Sequence, residues 1–141
     1  MDIRPLTETY AVSPQIAPEH CAELSAQGFT TVICNRPDGE NPPEWQAAAI
    51  RTAAEMAGLD FVYNPVVGGA LSMDNVTAQA DAIAKGGKIF AYCASGNRSS
   101  IVWALSQAGT RPTDELIAAG AQYGYMTGQF RDLIDKLAAG K

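Results

Sequence analysis

Hydrophobic residues come in short runs that alternate with longer amphipathic stretches, and Gly and Pro fall at the junctions. Tyr10 to Ser13 is a short apolar run stopped by Pro14. Residues 18–27 have helical spacing, with Pro18 and Glu19 in the first turn and Gly28 past the end. Residues 29–34 (Phe-Thr-Thr-Val-Ile-Cys) are rich in β-branched side chains and predict a second strand. A polar loop at 35–42 leads to an alanine-rich helix at 43–57, with Trp45, Ala49, Thr52 and Met56 on one face. Residues 59–63 predict a third strand, ended by Asn64-Pro65. Ser72 caps a helix running to Lys85, and Gly86-Gly87 stops it. Residues 88–92 are apolar on both faces, as a central parallel strand requires. Helices are predicted at 99–108, 113–122 and 127–139, the last with Phe130, Leu133, Ile134 and Leu137 as its stripe.

Strand and helix alternate for two-thirds of the chain, and helices finish it. That order predicts an α/β fold, a small parallel sheet flanked by helices on both faces. At 141 residues the chain is sized for one domain, spanning 1–141. Ten Lys and Arg against fifteen Asp and Glu give a net charge of −5, which argues against nucleic acid and anionic membrane as partners. Cys21, Cys34 and Cys93 are an odd set beside a single histidine, His20. Neither a disulfide framework nor a Cys/His metal site fits that count, and no cofactor motif is present. The first residues carry no basic segment followed by an apolar run, so a cytoplasmic protein without a signal peptide is expected.

The chemistry concentrates where the central strand ends, in Cys93-Ala-Ser-Gly-Asn-Arg98-Ser99. A buried strand delivers a thiol into a tight loop that runs straight into a helix. Gly96 permits a positive φ, so that the amides of Ala94, Ser95, Gly96, Asn97 and Ser99 can turn inward as an anion nest. The helix N-terminus adds its dipole, and Arg98 adds a planar cationic fork. A sulfur in such surroundings is expected to act as an activated nucleophile. Ser99 is expected to hydrogen-bond that sulfur or to cap the helix.

Four residues separate Cys93 from Arg98. The loop resembles two families: protein tyrosine and dual-specificity phosphatases, which use Cys-x5-Arg, and rhodanese-type sulfurtransferases, whose loop is commonly one residue shorter. This chain has the shorter form, and Tyr92 stands where phosphatases usually carry a His. Over nearly its whole length the chain also resembles the bacterial beta-lactamase hydrolase-like, phosphatase-like family. The segments that carry this likeness are Val12-Ser-Pro-Gln-Ile16, residues 28–40 with Arg-Pro-Asp-Gly-Glu, Tyr63-Asn-Pro-Val-Val-Gly-Gly69 and the Cys93 loop. The resemblance implies a dual-specificity-phosphatase-like fold and, in several members, sulfurtransferase activity. Some members are fused to a persulfide dioxygenase, which implies such an enzyme as partner.

A phosphatase needs an acid to protonate the leaving oxygen, and the segment after the third strand, Asn64-Pro-Val-Val-Gly-Gly69, has no carboxylate. Asp74 is either that acid or a helix-dipole residue in the turn after Ser72. Arg36 either holds the anionic substrate or pairs with Asp38 to fix its loop. Cys34 is either a resolving thiol for Cys93 or a core cysteine. Trp45 and Trp103 are expected in the core or an interface, and the Tyr123–Met126 turn in packing. The expected function is sulfane-sulfur transfer through a Cys93 persulfide, from a small anionic donor. The alternatives are phosphomonoester hydrolysis through a phosphocysteine, with the acid supplied by Asp38, Asp74 or the substrate, and a non-catalytic anion-binding module.

Overall fold

Side chains of a strand point alternately to opposite faces, so strands covered on both sides need two apolar sets. The computed structural model, which describes residues 1–141, meets this with a five-stranded sheet in the order β1-β2-β5-β3-β4. The strands are β1 (Arg4–Pro5), β2 (Tyr10–Ser13), β3 (Thr31–Cys34), β4 (Asp60–Tyr63) and β5 (Ile89–Tyr92). All pairings are parallel except the β1–β2 edge. Ile89 and Ala91 of β5 pack with Tyr10, Val12 and Ile33 under α3 (Met73–Ala84), α4 (Asn97–Ser106), α5 (Thr113–Ala121) and α6 (Arg131–Ala139). Phe90 and Tyr92 face the other way, with Val32 and Cys34, against α1 (Cys21–Ala26) and α2 (Ala47–Met56). Every residue of β5 is buried, as expected for the central strand.

Several boundaries differ from those predicted, each for a local reason. β1 was not anticipated; it has two residues and contains Pro5, which an edge strand tolerates. β3 begins at Thr31 rather than 29. The expected helix at 43–57 opens as a 3-10 turn at Pro43–Trp45, breaks at extended Gln46, and becomes α-helical only at Ala47. Trp45 is consequently 43% exposed and Met56 84%, so neither belongs to the core. Pro18–His20 and Thr127–Phe130 are likewise 3-10 turns ahead of α1 and α6. Trp103 is buried and stacks on Tyr10, with ring centroids 5.7 Å apart. Helix α4 starts at Asn97, two residues earlier than predicted, because Gly96 in the left-handed conformation is its N-cap.

Four parallel strands share one carboxyl edge. The segments leaving β2, β3, β4 and β5 therefore meet there, and Cys93 lies at the end of the central one.

Candidate active site

Gly96 sets the shape of the loop. Its φ of +95° is costly for any residue with a Cβ, and a Cβ there would run into the Tyr125 hydroxyl. The Gly96 amide donates to the Cys93 sulfur at 3.1 Å, and Asn97 N–H donates to Ser95 Oγ at 3.2 Å. The amides of Ala94, Ser95, Arg98 and Ser99 donate to no acceptor in the protein. Those free donors, with the first turn of a ten-residue helix behind them, make a seat for a small anion.

Arg98 is held by its tip. Its Nη1 and Nη2 donate to Glu40 Oε2 and Oε1, both at 2.8 Å, and Nη1 also donates to the Val66 carbonyl at 2.8 Å. The end fork of the guanidinium is thereby spent, while its Nε edge stays free for an anion. The hydrogen bonds it donates to Glu40 raise the Arg98 pKa against the opposing effect of burial, and the nearby Cys93 acts in the same direction. In return, Arg98 first and Arg36 second hold the Glu40 carboxyl below the usual carboxylate range. Glu40 is thus an ionised positioning group and not a proton donor.

The secondary candidates separate clearly. Arg36 pairs with Glu40 at 3.2 Å and donates to Gln15 Oε1 at 3.3 Å; the expected pairing with Asp38 is not formed. Asp38 accepts the Ala47 N–H at 2.7 Å and so fixes the start of α2. Asp74 is exposed in the first turn of α3, where Ser72 and Asn75 form a capping box. Cys34 is buried in the α1/α2 layer, donates to the Arg36 carbonyl at 3.3 Å, and has its pKa pushed up by burial. His20 accepts the Ala17 N–H at 3.0 Å in a local turn. Ser99 does neither thing expected of it: it is fully buried and donates to Asn35 Oδ1 at 2.9 Å.

That Ser99 contact opens onto a buried polar network that nothing local in the sequence announced. Asn35 donates to Gln79 Oε1 at 2.9 Å, Asn64 donates to the same oxygen at 2.8 Å, and Gln79 donates to the Tyr10 hydroxyl at 2.8 Å. The Tyr10 hydroxyl in turn donates to the Ser99 carbonyl at 3.2 Å. The network ties the ends of β3 and β4 to the first turn of α4. Each such bond is worth about 1 kcal/mol net, and each orphaned member costs about 1–3 kcal/mol. On the opposite side the Tyr125 hydroxyl donates to the Ser95 carbonyl at 2.9 Å and accepts from Arg4 at 2.8 Å. The Tyr123–Met126 turn is thus part of the site as well as of the packing.

No His, Cys, Asp and Glu trio converges in a way that could hold a metal ion, and no helix is long and apolar enough to cross a membrane.

Known proteins resemble this chain in sequence and in fold. Residues 2–110 match the beta-lactamase hydrolase-like protein, phosphatase-like domain. A beta-lactamase hydrolase-like protein of Xylella fastidiosa (strain Temecula1) is 32% identical over 132 residues, which is 92% of this chain and 31% of that protein. The chain therefore spans about a third of the length of this curated relative. A Neisseria meningitidis Z2491 protein, provisionally described as a phosphatase, superposes with a TM-score of 0.78 at 29% identity, covering 97% of this chain and 99% of that one. Kinase associated phosphatase, with its catalytic cysteine replaced by serine, gives 0.71 at 15% identity, over 92% and 88% of the two chains. That last likeness is one of fold. The family model and the Neisseria protein both carry phosphatase-like descriptions, and neither description names sulfur transfer. The chain has the fold of the protein tyrosine and dual-specificity phosphatases and belongs to the beta-lactamase hydrolase-like, phosphatase-like family.

Proposed function

We propose that Cys93 carries sulfane sulfur as a persulfide and hands it to a thiol or to sulfite. The observation that supports this most is the lack of a proton donor at the site. The β4–α3 segment holds no carboxylate, Asp38 is engaged at the start of α2, Asp74 lies exposed in the first turn of α3, and Glu40 is kept ionised by two arginines. An alkoxide leaving group needs a proton in the transition state, whereas sulfite or a thiolate departs as a stable anion.

With thiosulfate as donor, the Cys93 thiolate attacks the outer sulfur. A Cys93 S–S bond forms, the donor's S–S bond breaks, and sulfite leaves with the electron pair. An acceptor thiolate then attacks the outer sulfur of the persulfide and regenerates the Cys93 thiolate. The Gly96 amide faces the sulfur, and the free loop amides with the Nε edge of Arg98 balance the anionic groups. The reaction is assigned to the cytoplasm, where thiols stay reduced, and a persulfide dioxygenase is the partner that would oxidise the product.

The second reading is phosphomonoester hydrolysis through a phosphocysteine, and the solved relatives described as phosphatases favour it. Thiosulfate–cyanide turnover and aryl phosphate turnover, measured side by side on wild type and Cys93→Ser, separate the two. Sulfur transfer that exceeds hydrolysis and vanishes in Cys93→Ser is expected. Hydrolysis with a trapped phosphocysteine and no sulfur transfer overturns the proposal in favour of the second reading.

A further inference from the structure

Beside Arg98, on the side away from Glu40's loop, opens a cleft of about 230 Å³. Val66 and Leu71 of the β4–α3 segment form one wall, and Ile101, Met126 and Phe130 form the other. Asn97 and Gln129 are its uncharged polar groups, and Arg98 is the one charged side chain lining it. Asn97 and Arg98 belong to both the cleft lining and the Cys93 loop. The cleft wall is also tied to that loop, because the Val66 carbonyl accepts from Arg98 Nη1 at 2.8 Å.

A cavity of about 150 Å³ with apolar walls takes up benzene, so this cleft has room for one aromatic ring and a few further atoms. It offers nothing to a charged organic part. A peptide's carboxylates and ammonium would be desolvated against Val66, Leu71 and Phe130 with no partner of opposite charge but the arginine already facing the reacting anion. Met126 is 49% exposed at the mouth, and its amide donates to Asn97 Oδ1 at 2.9 Å, so this wall is fixed to the same loop as Cys93. Met is also a side chain that adapts its shape to a ring edge.

We infer that the cleft is a subsite for a compact apolar group, and that the substrate is an anionic head on a single aryl or short alkyl body rather than on a charged peptide. This rests on the anion seat at Cys93 and Arg98. For sulfur transfer the matching donor is an arenethiosulfonate. The Cys93 thiolate takes its terminal sulfur, the S–S bond to the sulfonyl sulfur breaks, and the arenesulfinate leaves with the electron pair.

Binding of sulfonates tests the cleft without relying on turnover. Dissociation constants for benzenesulfonate, methanesulfonate and S-sulfoglutathione would be measured by calorimetry on wild type, Met126→Asp and Phe130→Ala, with S-sulfoglutathione, whose S–S bond a thiolate can cleave, compared with the other two on Cys93→Ser. Benzenesulfonate is expected to bind wild type about tenfold or more tighter than methanesulfonate, the gain from burying one ring. S-sulfoglutathione should bind no tighter than methanesulfonate. Met126→Asp should remove most of the benzenesulfonate advantage over methanesulfonate, read as the ratio of the two so that repulsion from the added charge cancels, and Phe130→Ala should reduce the ratio in the same direction. Equal affinity for the two sulfonates in wild type, or a ratio unmoved in both variants, overturns the subsite. Preference for S-sulfoglutathione overturns the substrate class. Binding of none of the three anions is a different failure, because it removes the anion seat itself and the subsite with it.

Discussion

Two loops leave the same sheet edge and are built in opposite ways. The one after β5 is held from every side: Gly96 by its φ and the Tyr125 hydroxyl, Ala94 by Gln15, Ser99 by Asn35, and Arg98 by Glu40 and Val66. The one after β4 is anchored only at its start, where Val66 N–H donates to the Asn35 carbonyl at 2.9 Å and Asn75 donates to the Pro65 carbonyl at 2.9 Å. Its tip, residues 67–70, is exposed and carries two glycines. The difference teaches that the fold invests its constraint in seating an anion over a thiol. Which reaction follows is left to a short segment that here has no acid to offer.

Gly96→Ala attacks the rigid loop where it is most constrained. The substitution forces a Cβ against Tyr125 at a positive φ, and about a hundredfold loss of kcat/KM is expected, with the domain still folded. Far-UV circular dichroism alongside the kinetics distinguishes this from unfolding, and activity within threefold of wild type would show that the loop tolerates reshaping. Gly68→Asp probes the other loop by supplying the missing carboxylate at a position with open space around its Cβ. Aryl phosphate hydrolysis should rise about tenfold while thiosulfate turnover stays within twofold.

Glu40→Gln loosens the hold on Arg98 and should lower kcat/KM about five- to tenfold, mainly through KM for the anion. Because the folded-state pKa of Glu40 is depressed, its ion pair is fully present above the unfolded value of about 4.3 and is lost only as pH falls through the lower folded value. The wild type should therefore keep its anion affinity down to the ordinary carboxylate range, and the Gln variant should lack the decline below it. A parallel loss at all pH values, with the acid decline intact, would assign Glu40 a packing role alone. Asp74→Asn is expected to change either activity less than twofold, since this exposed residue lies in a helix's first turn; a tenfold loss of hydrolysis would make it the missing acid.

Where the determinants were local, the chain's order of residues was enough. The apolar runs at 10–13 and 89–92, the Gly stops after helices, and the Cys93–Arg98 loop with its glycine all announce themselves within a few positions. The two-residue β1 carries too little pattern to stand out, and Pro5 argues against a strand by propensity. Trp45 fits a helical stripe only if the helix starts at Pro43, and the break at Gln46 turns it outward. The partners of the site were illegible for a different reason. Glu40 meets Arg98 across 58 positions, Arg4 meets Tyr125 across 121, and Gln79 meets Tyr10 across 69. Such contacts follow from strand order, which periodicity does not encode. Ser99 illustrates the point: its place suggested a cap, and only the burial of Asn35 beside it explains why it turns inward.

The central claim is that the seat at Cys93 takes up sulfur. Intact-protein and peptide mass spectrometry after incubation with thiosulfate or an arenethiosulfonate tests it most directly. The account predicts an adduct of about 32 Da, one sulfur atom, on the peptide containing Cys93, reversed by cyanide or dithiothreitol and missing in Cys93→Ser. An unmodified Cys93 under those conditions, together with a phosphoryl adduct on the same residue after an aryl phosphate, would contradict it.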